Sequence, residues 1–469
     1  MSASDPAAVA AAVAAADAAG ERARAELEDL VRIPSISIDP SHRADVQASA
    51  EATAELLRAH GLERTRITGV DGSQPFVLGE WMHAGPDAPT VLLYAHHDVQ
   101  PPGIVENWSN DPFDPVERGG RLYGRGAADD KAGAVAHAHA VAAWLTTQGT
   151  LPCNVRVLVE GEEEIGSPTL HAFLTTHLDE LRSDVLVLAD AGNWKVGVPG
   201  LTYSLRGVAG ADVRLRALDG PVHSGIAGGA VPDPVMGLAR LLATLVDDRG
   251  DVAIDGIWDD VDPGTDASRA PIPGLDDRWE AFARELGVRP GVEPAGDPEV
   301  TLHERLWSRP SITIIGIDGH PIRGSSNQIV ARAAARISLR LAPGQDPARV
   351  IAQLRAHLER RVPWGLELSF RANEGTPAWQ TDPRGPAFDA ARRALHAGFG
   401  VEPVVMGIGG TIPFVGPFAA AFGGIPAILV GPNDPGSRIH GEDESLHLAD
   451  WYSLIRSEVY LLAELAELA

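Results

Sequence analysis

Short unbroken runs of Val, Leu and Ile recur along the chain, and each ends in an abrupt polar step. TVLLYA at 90–95 is followed at once by His96-His97-Asp98, NVRVLV at 154–159 by Glu160, and DVLVLA at 184–189 by Asp190. IPAILVG at 425–431 leads into a polar loop that holds His440. Apolar runs of this length, without in-and-out alternation, predict strands buried on both faces. Between them lie helical patterns. One covers 6–33, with Leu27, Leu30 and Val31 at helical spacing and Pro34 ending it. Another covers 44–60 and is closed by Gly61. A third, AGAVAHAHAVAAWL, opens after Asp129-Asp130-Lys131.

Strands alternating with helices imply an α/β fold, a mostly parallel sheet with helices on both faces. Ligands of such sheets bind beyond the carboxyl ends of the strands. His96, Glu163, Glu164, Asp190 and His440 all fall just after a strand, and Asp129 lies in a glycine-rich loop before a helix. One sheet edge would therefore gather them.

From about Gly207 the texture changes to strand, helix, a long Asp/Gly/Pro-rich excursion over 249–310, two strands, helix and strand. That order is the split βαβ of ferredoxin-like α+β domains. The expected organisation is a catalytic domain in two parts, 1–206 and 377–469, with a second domain, 207–376, inserted between them. The excursion is too long for a plain loop and predicts short helices, for example around 276–286.

Composition narrows the class. With 469 residues, 44% hydrophobic and 22% charged, the chain has the makeup of a globular protein too long for one core. A formal net charge of −25 argues against nucleic acid or an anionic membrane as partner. No transmembrane helix is expected, and the Ala/Val-rich start carries Asp5 and Asp17 rather than the basic beginning of a signal peptide. Cys153 is the sole cysteine, which excludes an intrachain disulfide and fits a reducing, cytoplasmic setting.

Singly, the polar residues at the strand ends have ordinary explanations. Asp129 and Asp190 are equally helix caps, three consecutive glutamates are equally an exposed loop, and the chain has 16 histidines. Their convergence on one edge favours a metal centre. Five ligands around a central aspartate suit a pair of ions, with Asp129 bridging, His96 and Asp190 completing one, Glu164 and His440 the other. Mixed imidazole and carboxylate ligands suit Zn²⁺, with Mn²⁺ or Co²⁺ as alternatives. Two such ions about 3.5–4 Å apart activate water and polarise a carbonyl. Glu163 is then free to act as general base and later as general acid. Asp98 is placed to fix the tautomer of His96, while His97 is read as structural. The loop GIGGTIP at 407–413 lacks the Lys-Ser/Thr of a phosphate-binding loop.

Five segments together resemble the dinuclear-zinc exopeptidase family that includes carnosinase-type dipeptidases, aminoacylase, acetylornithine deacetylase and succinyl-diaminopimelate desuccinylase. They are HHDVQP from His96, LYGRGAADDK from Leu122, EGEEEIGS from Glu160, Asp190 itself, and His440 with Glu442-Asp443-Glu444. Asp443 stands where the family has asparagine. The resemblance runs over about residues 25–465 and implies the zinc-exopeptidase fold, with 207–376 as lid and dimerisation domain. It implies a homodimer in which His223, in Val222-His223-Ser224-Gly225, reaches the substrate carbonyl, often across the interface. It further implies that Arg340 binds the substrate's terminal carboxylate, that Asn327 and Thr411 line the same end of the pocket, and that the Asp129–Asp130 peptide is cis.

The stretch from Gln100-Pro101 through Asn107-Trp108 to Phe113 resembles the dipeptidase branch more than the deacetylase branches. The expected activity is hydrolysis of dipeptides or short peptides with a free C-terminal carboxylate. An N-acyl amino acid deacylase or desuccinylase with the same dinuclear chemistry is the alternative. A two-metal phosphoesterase would want more basic groups near the metals than this acidic chain offers, and the presence of Glu163 argues against a non-catalytic binding protein.

Overall fold

Four of the apolar runs stand side by side in one sheet, in the order Asn154–Glu160, Thr90–His96, Val185–Leu188 and Ala427–Leu429, each parallel to its neighbour. The structure is a computed structural model and describes residues 5–261, 278–373 and 375–468. These four strands are buried on both faces, which is why their sequences do not alternate. Phe76–Trp81 extends the sheet antiparallel beside Asn154–Glu160, with Glu63–Thr68 outside it. On the other flank Gly200–Leu205 runs antiparallel to Ala427–Leu429 through the Thr202–Leu429 pair.

Helix Lys131–Gln148 is apolar all round because it is buried all round, every residue from Lys131 to Ala140 being inside. Leu448–Leu465 packs on it, and the Trp451 indole N–H donates to the Ala132 carbonyl at 3.0 Å. The single helix expected over 6–33 is instead two, Pro6–Ala18 and Gly20–Val31, broken at Ala19. The Ala19 amide still bonds back to Ala15 and Ala16, but Gly20 supplies no side chain to stiffen the junction. These elements belong to one compact unit, made of residues 1–203, 381–406 and 412–469.

The second unit, 204–380 with 407–411, is built on a four-stranded antiparallel sheet. Its order is Ser311–Asp318, Arg332–Leu341, Gly207–Arg216, Glu367–Ala372. In chain order these are the second, third, first and fourth strands, the ferredoxin-like arrangement. Ala333, Ala335, Ile337, Leu339 and Leu341 alternate inward along one strand. They pack with Leu238 and Leu241 of Pro234–Leu242 and Val350, Leu354 and Leu358 of Pro347–Arg361. The excursion contains helices Trp279–Glu285 and Leu302–Trp307. Of the helix expected around 276–286, positions 276 and 277 lie outside the described residues. Among the described residues no helix is long and apolar enough to cross a membrane.

Candidate active site

Parallel register carries the chemistry to one edge of the first unit. His96 is the last residue of its strand and pairs with Glu160, the last residue of the next. Glu163 and Glu164 open the short turn Glu163–Ile165 just beyond Glu160, and Asp190 lies two residues past Leu188. Asp129 sits in the loop before Lys131–Gln148, and its peptide bond to Asp130 is cis. His440 lies in the loop after Ala427–Leu429 with a left-handed backbone, φ 64°.

Asp129 faces two histidines with its two oxygens. Oδ1 is 3.1 Å from His96 Nε2 and Oδ2 is 3.1 Å from His440 Nε2. Asp190 Oδ1 lies 3.8 Å from the same His96 nitrogen, and Glu164 Oε2 lies 3.2 Å from that of His440. Two three-residue groups result, His96–Asp129–Asp190 and Asp129–Glu164–His440, each with one donor atom per residue within 4.8 Å of the others. His96 is wholly buried, whereas the His440 side chain is 55% exposed and faces the open side.

The electrostatics call for a cation. Burial opposes ionisation of Asp129, yet hydrogen bonds with His440 and His96 hold its carboxyl well below the usual range. Burial pushes Asp190 up to about 6 against the pull of His96. Glu163 is driven well above the carboxylate range by burial and by Asp190, Glu164 and Asp129, with His96 pulling the other way. Among the described residues, Asp129, Asp190 and Glu164 have only imidazoles as ion-pairing partners, with no Lys or Arg. Crowded buried carboxylates of this kind are costly without positive charge between them. The donor set of two imidazole nitrogens and three carboxylates fits divalent cations of the Zn²⁺ class.

Supporting contacts fix the loops. Asp98 accepts from the backbone N–H of Glu163 at 3.2 Å and of Glu164 at 3.1 Å, so it holds the glutamate turn. The nearer partner of His96 Nδ1 is the Asp98 carbonyl at 3.0 Å, its carboxylate standing at 3.5 Å. His97 is buried, bonds to the Pro75 carbonyl at 3.0 Å, and burial brings it down to about 4. Asp130 makes no side-chain cap to the helix it precedes, and instead accepts from the His96 amide at 3.3 Å. Lys131 likewise donates to the Leu30 and Ile33 carbonyls, both at 2.7 Å, rather than to a carboxylate. Gly126, at φ 82°, is required: a Cβ there would stand 2.5 Å from Val99 Cγ1.

Glu444 and Gln100 lie in segments that carry the family resemblance, and the structure gives each a supporting role that its spacing does not reveal. Glu444 accepts from the amides of Gly126, Ala128 and Asp129 with one oxygen and pairs with buried Arg125 at 2.5 Å with the other. It thereby clamps the loop that presents Asp129. Gln100 donates to Glu164 Oε2 at 2.8 Å, orienting that carboxylate.

In the second unit, Arg340 donates to Thr411 Oγ1 at 3.1 Å. Arg206 lies beside Arg340, and burial together with that neighbour holds it down to about 10. Arg206 spends its donors on the Gly409 and Arg309 carbonyls and Ser311 Oγ. Among the described residues neither arginine pairs with a carboxylate. His223 is exposed and its Nδ1 accepts from the Gly225 amide at 3.0 Å, while the Asn327 carbonyl accepts from the Ser224 amide at 2.9 Å.

The sequence profile of peptidase family M20/M25/M40 matches residues 92–464. The chain is 34% identical over 428 residues to a cysteinylglycine-S-conjugate dipeptidase of Corynebacterium striatum, covering 91% of each chain. It is 32% identical over 409 residues to a Beta-Ala-His dipeptidase of Rattus norvegicus, covering 82% of this chain and 81% of the relative. Human carnosine dipeptidase 1 superposes with a TM-score of 0.88 at 26% identity, covering 98% of this chain and 99% of that one. Sheet, site geometry and sequence agree: the chain belongs to peptidase family M20/M25/M40, the metallopeptidases.

Proposed function

We propose that the protein is a metal-dependent dipeptidase, hydrolysing the amide bond of dipeptides or short peptides with a free C-terminal carboxylate. The observation that carries this is the single carboxylate of Asp129 shared between two ligand groups, His96 with Asp190 and His440 with Glu164. In this reading those residues hold two divalent ions, Zn²⁺ fitting the donors best, with Mn²⁺ and Co²⁺ compatible. Bound there, the ions would polarise the amide carbonyl and acidify water.

Glu163 supplies the proton transfers. It takes a proton from the water that attacks the carbonyl carbon and returns it to the amine nitrogen as the C–N bond breaks. Asp98 and Gln100 keep the glutamate turn and Glu164 in place. Arg340, steadied by Thr411 and without a carboxylate partner among the described residues, receives the substrate carboxylate, a task suited to its planar fork. His223 and Asn327 complete the substrate side. Relatives named for Cys-Gly conjugates and for Beta-Ala-His support dipeptides over N-acyl amino acids.

A panel of dipeptides, tripeptides, C-amidated dipeptides and N-acetyl and N-succinyl amino acids tests this directly. Dipeptides with a free carboxylate should have the highest kcat/KM. Arg340→Ala should raise KM for them by about 10- to 100-fold, the worth of a charged hydrogen bond, and leave amidated dipeptides near their wild-type values. Equal effects on both classes would remove the carboxylate role.

Residues 207–376 act in this scheme as lid and dimerisation domain of a homodimer, His223 serving the partner's site. Support comes from the edge strand Ser311–Asp318, which leaves Ile315 and Ile317 61% and 65% exposed and, among the described residues, has no strand on its outer side. The double variant Ile315→Asp, Ile317→Asp should sediment as a monomer while wild type sediments as a dimer. A monomeric wild type would end the proposal.

A further inference from the structure

Away from the sheet edge, three helices of the first unit each bring a ligand-type side chain to one point. Glu26 comes from Gly20–Val31, His60 from the residue that ends Arg43–Ala59, and His139 from Lys131–Gln148. Both imidazoles aim Nε2 at the same atom, Glu26 Oε2, His60 from 2.9 Å and His139 from 2.7 Å. Their ring centroids are 4.4 Å apart, and one donor atom from each of the three residues lies within 4.8 Å of the other two.

The surroundings suit a ligand set. His60 and His139 are only 4% and 3% exposed, while the Glu26 side chain is 24% exposed, so one side of the cluster opens to solvent. Burial disfavours a charged imidazolium at both positions, and neutral imidazole is the form that coordinates metal. Arg22 Nε donates to the other oxygen of Glu26 at 2.8 Å, which orients the carboxylate and leaves Oε2 toward the rings. Without metal, both rings must donate Nε2–H to one oxygen. A shift of each ring to the Nδ1–H tautomer frees both Nε2 lone pairs and makes the same three atoms a two-histidine, one-carboxylate set. Tetrahedral coordination at about 2.1 Å would set these atoms about 3.4 Å apart, so the two nitrogen–oxygen separations would open by roughly half an ångström or a little more, a shift that the partly exposed Glu26 can supply.

We propose that Glu26, His60 and His139 form a further divalent-metal site of the Zn²⁺ class, separate from the Asp129 centre, with its remaining position open to water. Its role is to fasten three helices, and it takes no part in peptide hydrolysis. The proposal does not rest on the dipeptidase reading.

Metal content decides it. Wild type, Glu26→Gln and His139→Gln are each saturated with Zn²⁺, passed through gel filtration, and analysed for bound zinc per chain, with folding checked by circular dichroism. Each variant should hold one equivalent less than wild type while retaining its turnover. His139 is buried and its variant is the one at risk of misfolding; Glu26, near the surface, then gives the answer. Equal zinc in wild type and folded Glu26→Gln would overturn the site.

Discussion

Glu163→Gln is expected to reduce dipeptide turnover by about 10²- to 10⁴-fold, the range spanned by a lost general acid–base group, while leaving metal content unchanged. The substitution preserves size and removes only the ability to accept a proton. Neither three-residue group at the sheet edge includes Glu163. Its backbone amide is held by Asp98, so the turn that presents Glu164 should survive. Measuring kcat alongside zinc per chain separates the possibilities. Metal lost together with activity would make Glu163 a ligand instead.

Exhaustive chelation is expected to abolish hydrolysis altogether, and Zn²⁺, Mn²⁺ or Co²⁺ to restore it. Among the described residues Asp129, Asp190 and Glu164 have only His96 and His440 as ionic partners, so loss of metal would expose their mutual repulsion. The metal-free protein should therefore also unfold at a lower temperature than the reloaded protein. Both readouts, turnover and melting temperature, should recover together on adding metal. Full activity after complete metal removal would sink the mechanism.

Much of this was legible because strand ends are local features. A run such as TVLLYA followed by His96, or DVLVLA followed by Asp190, declares both the strand and the edge at which its polar step lands. Helix Lys131–Gln148 was equally plain, since its burial leaves a long apolar run interrupted between Ala132 and Leu145 by His137 and His139 alone. Glu63–Thr68 was not, because ERTRIT is a polar outer strand that carries no buried run. The clamp made by Glu444, itself part of the family-like segment after His440, and the Glu26–His60–His139 cluster escaped for another reason. Their meaning lies in backbone amides and helix faces far away in the chain, and no spacing in the sequence encodes that packing. Asp130, at the start of helix Lys131–Gln148, does not cap it: one carboxylate oxygen accepts from the His96 amide and the other has no partner among the described residues.

The interruption of the first unit by residues 204–380 also sets an order of assembly during synthesis. His96, Asp129, Glu164 and Asp190 leave the ribosome well before His440 and Glu444. One ligand group, His96–Asp129–Asp190, is encoded wholly in the first 190 residues, whereas the other waits for the last thirty. Until Glu444 arrives, the Gly126–Asp129 amides have no carboxylate to hold them. The segment that holds His440 and Glu444 thus completes the pocket, so a ribosome stalled short of it displays one ligand group entire and the other without its histidine.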